Sequence, residues 1–150
     1  EEIPSIIPEL KLDVPSDAFL PSDYVPREES RLDAYRRLAG VTSHEDVDDI
    51  EREWLDRYGK LPAPAEALLR VGRLRAECHR IGLREIVVEN GRARMSPVTL
   101  PASGVMRLTR LDSRAEWNEK LHTLTVTVPR AGDVVTALLN FLGSMFETDN

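Results

Sequence analysis

The sequence holds a single cysteine, Cys78, so no internal disulfide can form, and a reducing compartment such as the cytoplasm fits. Long apolar runs are missing as well. None approaches the ~20 residues of a membrane-spanning helix, and no signal-peptide pattern opens the chain. These absences predict a cytoplasmic protein with no membrane partner. Basic charge is in deficit: 20 Lys and Arg stand against 26 Asp and Glu, a formal charge of −6. Nucleic-acid affinity comes mostly from neutralising phosphates with a basic patch, so this balance argues against a free-standing DNA or RNA binder. The signatures of common chemistries are also missing, with no glycine-rich phosphate loop, no G-x-S-x-G and no H-E-x-x-H. His44, His79 and His122 fall in separate elements without ligand-like spacing. Cys78 and His79 adjoin, but neighbours on a helix point about 100° apart and cannot chelate one ion. We therefore expect no metal, no cofactor and no catalytic residue.

What is present is an ordinary globular composition, 41% apolar and 31% charged over 150 residues, enough for one domain with a sizeable core. The chain opens Glu-Glu-Ile-Pro rather than with methionine, which reads as a piece cut from a longer polypeptide. Residues 1–26 carry Pro4, Pro8, Pro15, Pro21 and Pro26, a density no helix tolerates. Leu10, Leu12 and Val14 alternate with Lys11 and Asp13, predicting a short half-buried strand that Pro15 ends. Ala18, Phe19, Leu20, Tyr24 and Val25 would anchor the segment. Residues 1–26 are thus an extended strap packed on the core, and residues 27–150 a single domain.

Helical periodicity then takes over. Leu32, Tyr35, Leu38 and Ala39 recur at helical spacing across residues 27–39, and Gly40 ends the run. Ser43 reads as the N-cap of a second helix, with Asp46 at its third position as a weaker capping box. Val47, Ile50, Trp54 and Tyr58 form its apolar stripe with Leu55 beside it. Glu45, Asp48, Asp49, Arg52, Glu53 and Asp56 lie opposite. A third helix is predicted over residues 62–81, buried through Leu68, Val71, Leu74, Cys78 and Ile81, with Gly82 as C-cap. Beyond it the period changes to two. Residues 84–89 and 92–96 flank Asn90-Gly91, the strongest short hairpin signal. Met106 and Leu108 alternate with Arg107 and Thr109, and Leu124, Val126 and Val128 with Thr123, Thr125 and Thr127, predicting two more strands around a charged excursion over residues 110–122. Residues 133–146 form a last helix. The fold class is α+β: an N-terminal strap with a strand, three helices, an antiparallel sheet of about four strands, and a C-terminal helix.

The second helix ends in the stretch around which the rest is arranged. Trp54 and Tyr58 share its buried face, while Glu53 and Asp56 lie on the charged one. Gly59 stands where the chain needs φ > 0, and Pro62 forbids continuing the old helix while suiting the start of a new one.

Three blocks carry a family resemblance. The first runs Leu12-Asp13-Val14-Pro15-Ser16-Asp17-Ala18-Phe19-Leu20-Pro21 with Asp23-Tyr24-Val25-Pro26 after it. The second is Arg31-Leu32-Asp33-Ala34-Tyr35-Arg36-Arg37-Leu38-Ala39. The third is Asp56-Arg57-Tyr58-Gly59-Lys60-Leu61-Pro62, with Tyr58 where the family pattern carries Phe. In this order and spacing, over residues 10–85, the chain resembles the C-terminal domain of the bacterial transcription–repair coupling factor (Mfd). The resemblance implies a non-catalytic, autoinhibitory module of an ATP-dependent DNA translocase. The parent displaces stalled RNA polymerase and recruits nucleotide excision repair, touching DNA and polymerase through its other domains. This domain would dock on the N-terminal module of the same polypeptide and mask the surface that binds UvrA. The resemblance makes Glu53 and Asp56 the docking acids, and Trp54, Arg57, Tyr58, Gly59 and Pro62 the motif that frames them.

Two other readings are open on the residues alone. Arg70, Arg73, Arg75, Arg80 and Arg84 are concentrated in one stretch, mostly helical, and could bind nucleic acid, although a solvated face is the simpler account. Glu53 and Asp56 could be an acid/base pair if an apolar pocket separated their pKa values.

Overall fold

The computed structural model describes residues 9–147 and has an α+β architecture. Strand β1 (Lys11–Asp13) precedes three helices, α1 (Glu28–Ala39), α2 (His44–Tyr58) and α3 (Ala63–Ile81). Then come β2 (Glu85–Glu89), β3 (Arg92–Ser96), α4 (Ala102–Leu111), β4 (Glu116–Asn118), β5 (Thr123–Thr127) and α5 (Val134–Met145). Residues 1–8 of the expected strap, with Pro4 and Pro8, lie outside the described residues.

The sheet has five strands in the order β1-β2-β3-β5-β4. All neighbours are antiparallel except β1 and β2, which run parallel with Leu12 opposite Ile86. Glu89 pairs with Arg92 across a two-residue loop in which Asn90 and Gly91 have φ of 51° and 75°, as a type I′ turn requires. Ile86, Ala93, Met95, Leu124 and Val126 alternate inward and are buried. Beneath them lie Leu74 and Cys78 of α3 and Leu138 and Leu142 of α5.

The helical half has a second buried cluster. Val47, Ile50 and Trp54 of α2 meet Leu38 of α1, Leu68 and Leu69 of α3, and Leu20 and Val25 of the strap. Helix α3 is the spine common to both clusters, its first half in one and its second half in the other. Small residues make this possible. A Cβ on Gly72 would stand 3.0 Å from Leu38 and 3.5 Å from Val47, so α1 and α2 approach α3 where it has no side chain.

Local signals set the helix ends. Ser43 Oγ accepts the Asp46 amide at 3.1 Å, and Asp46 reaches back to accept the Thr42 amide at 2.9 Å, a reciprocal cap. At the other end of α3, Gly82 (φ 93°) and Leu83 both donate to the Cys78 carbonyl at 2.8 Å. Asp133 caps α5 by accepting the Thr136 amide at 2.9 Å.

Four expectations are corrected. Residues 106–109 are not a strand but the middle of α4, where Leu108 is buried and Met106 is 69% exposed. An alternation of four residues is too short to distinguish the two periods, and Pro101 marks a helix start instead. The excursion over residues 110–122 contains the edge strand β4, which brings the sheet to five strands. In α1, Leu32 and Tyr35 are exposed, because α1 turns Ala34 and Leu38 toward the core; the Tyr35 hydroxyl accepts the Leu20 amide at 2.8 Å. In α2, Leu55, expected beside the apolar stripe, is likewise exposed.

A buried charge joins α3 to both of its neighbours. Glu77 is 6% exposed, and its carboxylate accepts two bonds from Arg80 at 2.7 and 2.9 Å and faces His44 of α2 at 3.1 Å. Arg80 in turn donates to the Phe146 carbonyl at the end of α5. The Arg80 guanidinium, with His44 beside it, holds the Glu77 carboxyl below the usual carboxylate range. A carboxyl with a depressed folded pKa adds stability above its unfolded pKa, and that stability is lost as pH falls through the folded one. The stability gap between the unmodified chain and Glu77→Gln should therefore be wide at pH 7 and narrow toward pH 3. Urea titrations at the two pH values would measure it, and a constant gap would show that the Glu77 charge adds nothing.

Candidate functional site

The site lies where α2 ends. Its apolar stripe places Trp54 in the helical cluster, 3% exposed. Tyr58, one turn on, meets Tyr24 of the strap with ring centroids 5.6 Å apart and planes tilted by 57°. The Arg57 guanidinium stands 5.2 Å above the Tyr58 ring, within cation–π range. The Tyr24 hydroxyl donates to the Gly59 carbonyl at 2.8 Å and lies 3.3 Å from that of Trp54. The strap thus clamps the end of α2. Tyr24→Phe should lower stability in urea by about 0.5–1.5 kcal/mol, the usual value of one such bond. A change below that would mean solvent satisfies these carbonyls equally well.

Gly59 has φ 86° and ψ −158°, a conformation essentially confined to glycine. Its amide donates to the Leu55 carbonyl at 3.1 Å, closing α2, and Pro62 then caps α3. Trp54, Tyr58, Gly59 and Pro62 stand as the pattern predicts. The acids do not.

Glu53 is only half-buried, but it is not free. One carboxylate oxygen faces Arg37 of α1 and the other lies 3.3 Å from Arg57. The Arg37 guanidinium, with Arg57 second, holds its carboxyl below the usual range. These groups line an open cavity of about 320 Å³ between α1 and α2, with Asp33 on the same wall. Asp56 is exposed and has no ion-pair partner among the described residues. Elsewhere the acidic face is largely neutralised from within, Asp48 by Arg73 at 2.7 Å and Asp49 by Arg52. Arg37 was invisible in the sequence as part of this site. It lies 16 residues from Glu53 on another helix, and only packing brings the two together.

This geometry bears on the other readings. A general acid needs a raised pKa, whereas Glu53 is held ionised in a charged, open cavity. Of the basic set on α3, Arg70 pairs with Asp133 at 3.5 Å, Arg73 with Asp48 and Arg80 with Glu77. These partners sit at the start of α5 and on α2 and α3, so three of the five arginines are paired from within. Cys78 is fully buried, its thiol pushed up to about 12 mainly by that burial, while His79 is exposed. No cluster of three metal-capable side chains occurs among the described residues. No helix among them is long and apolar enough to cross a membrane.

Comparison with known proteins places this geometry. Residues 14–103 match the TRCF domain family. The transcription-repair-coupling factor of Mycobacterium tuberculosis (strain CDC 1551 / Oshkosh) is 40% identical over 125 residues, which is 83% of this chain and 10% of that protein. That of Escherichia coli (strain K12) is 36% identical over 86 residues, 57% of this chain and 7% of that protein. The chain therefore spans a tenth or less of the length of these relatives. The crystal structure of a C-terminal domain of transcription-repair coupling factor superposes with a TM-score of 0.75 at 18% identity, covering 93% of this chain and 92% of that one. The two share a fold. With more than half of its length inside the family pattern, the chain belongs to the TRCF domain family of the transcription-repair-coupling factors.

Proposed function

We propose that this TRCF domain is a non-catalytic regulatory module that docks on the N-terminal module of the polypeptide carrying it and covers the UvrA-binding surface there. Asp56 is the primary docking charge and Glu53 the second. The parent is then a cytoplasmic, ATP-dependent DNA translocase that displaces stalled RNA polymerase and recruits nucleotide excision repair through its other domains.

The observation that carries the reading is Asp56, an exposed carboxylate without an ion-pair partner among the described residues, on a doubly capped helix end. An exposed acid held in one place by a fixed backbone suits recognition of a basic partner better than catalysis. The runner-up, nucleic-acid binding by the α3 arginines, is disfavoured by the internal pairing of Arg70, Arg73 and Arg80. Sub-micromolar duplex binding that falls steeply with salt would restore it.

The test is Asp56→Lys in the parent polypeptide. The position is exposed, so folding stability should stay within about ±0.5 kcal/mol. Reversing a charge across a docked interface should loosen the clamp and raise UvrA affinity by about tenfold or more. A folded variant whose UvrA affinity equals that of the unmodified protein at every salt concentration would defeat the proposal.

A further inference from the structure

We infer that Arg37 sets the strength of this docking by competing, from inside the domain, for the Glu53 carboxylate that a guanidinium of the N-terminal module would take. The inference rests on the docking reading and adds its regulation. An acid waiting for a partner would stand free, as Asp56 does. Glu53 instead has a guanidinium on each oxygen, Arg37 from α1 and Arg57 from one turn further along α2.

A carboxylate has about four lone-pair positions, so a third donor could still be accepted. Three guanidinium groups around one anion repel each other, however, so an incoming arginine must displace one of those present. Arg57 is the harder to move, since it also stacks on Tyr58. Arg37 is the exchangeable one. Both side chains are about half-exposed, where ion pairs are weak, but Arg37 stacks on no ring among the described residues.

The released guanidinium has somewhere to go. Asp33 precedes Arg37 by one turn of α1 and lines the same cavity, the acid-before-base order that favours an i,i+4 pair. At present Asp33 engages Arg36 at 3.5 Å. Docking is then an exchange of partners rather than a simple gain. A clamp of that kind is held closed less firmly than its count of charges implies, which suits a contact that must open.

The experiment is a titration of the N-terminal module of the same polypeptide with this 150-residue chain. Arg37→Gln should bind roughly fivefold more tightly than the unmodified chain, about the contribution of one exposed ion pair. Arg110→Gln, on α4 and without an ion-pair partner among the described residues, makes the same charge change outside this cluster and should shift binding much less. Arg37→Lys, which keeps the charge, should restore near-unmodified affinity. Urea unfolding of each variant checks that the fold persists. Equal gains from Arg37→Gln and Arg110→Gln would overturn the inference, since net charge alone would explain them. Weaker binding by Arg37→Gln would also overturn it, because Arg37 would then touch the partner itself. If the unmodified chain and all variants fail to bind, the docking reading falls and takes this inference with it.

Discussion

Trp54→Ala is expected to reduce the free energy of unfolding in urea by about 3–5 kcal/mol, the usual cost of deleting a large buried side chain. Trp54 is 3% exposed, and its cluster draws on the strap, α1, α2 and α3 together. Those elements cannot collapse into the space independently. Leu69 sits on α3, which the sheet side also holds, and Val25 sits on a strap fixed by Tyr24. The cavity should therefore persist and add to the lost transfer energy. A measured loss below about 1 kcal/mol would mean that the helical cluster rearranges freely and that α2 is not its anchor.

The second large effect is at Gly59. Gly59→Val should cost about 1–3 kcal/mol, toward the upper end because a β-branched residue resists this backbone conformation most. Nothing among the described residues lies within 4 Å of where a Cβ on Gly59 would stand. The cost is therefore torsional, not steric, and Gly59→Ala should lose nearly as much. If alanine were tolerated and valine were not, side-chain crowding would be the cause and the backbone argument would fail. Docking should weaken in parallel, because the same turn fixes Asp56 through the Leu55 carbonyl and the Tyr24 hydroxyl.

Much of the fold was legible because its signals are local. Asn90-Gly91 dictates a hairpin through two positive φ values, and Ser43, Gly59 and Gly82 each mark a helix end by the bond or torsion that the end requires. Most of what failed was non-local. Helix α4 was missed for another reason: Val105, Leu108 and Leu111 recur at helical spacing, but the four-residue alternation over 106–109 masked them. The exposure of Leu32, Tyr35 and Leu55 depends on how α1 and α2 are rotated against α3, which Gly72 and Ala65 decide through an absence of bulk. Strand β1 was visible, but its parallel partner β2 lies more than seventy residues further on.

The site divides in the same way. Trp54, Tyr58, Gly59 and Pro62 are an i,i+4 pair followed by a stop and a start, all within one stretch of chain. The state of Glu53 depends on Arg37, which no pattern within α2 could reveal. Charge counting made α2 a uniformly acidic face. The structure leaves Asp56 at the end of α2 and Glu45 at its start as open charges among the described residues, and turns Glu53 into a shared one.

The central claim is that the end of α2 faces the N-terminal module, and a crosslink from Lys60 tests it most directly. Lys60 is exposed and next to Gly59, while the native Cys78 is fully buried with a thiol pushed up to about 12. A thiol-reactive photocrosslinker on Lys60→Cys, in a parent polypeptide whose cysteines outside this domain have been replaced, would therefore label that position alone. The account predicts an intramolecular crosslink to the N-terminal module that disappears when Asp56→Lys is added. Crosslinks of equal yield with and without that reversal, or adducts confined to other parts of the parent, would contradict it.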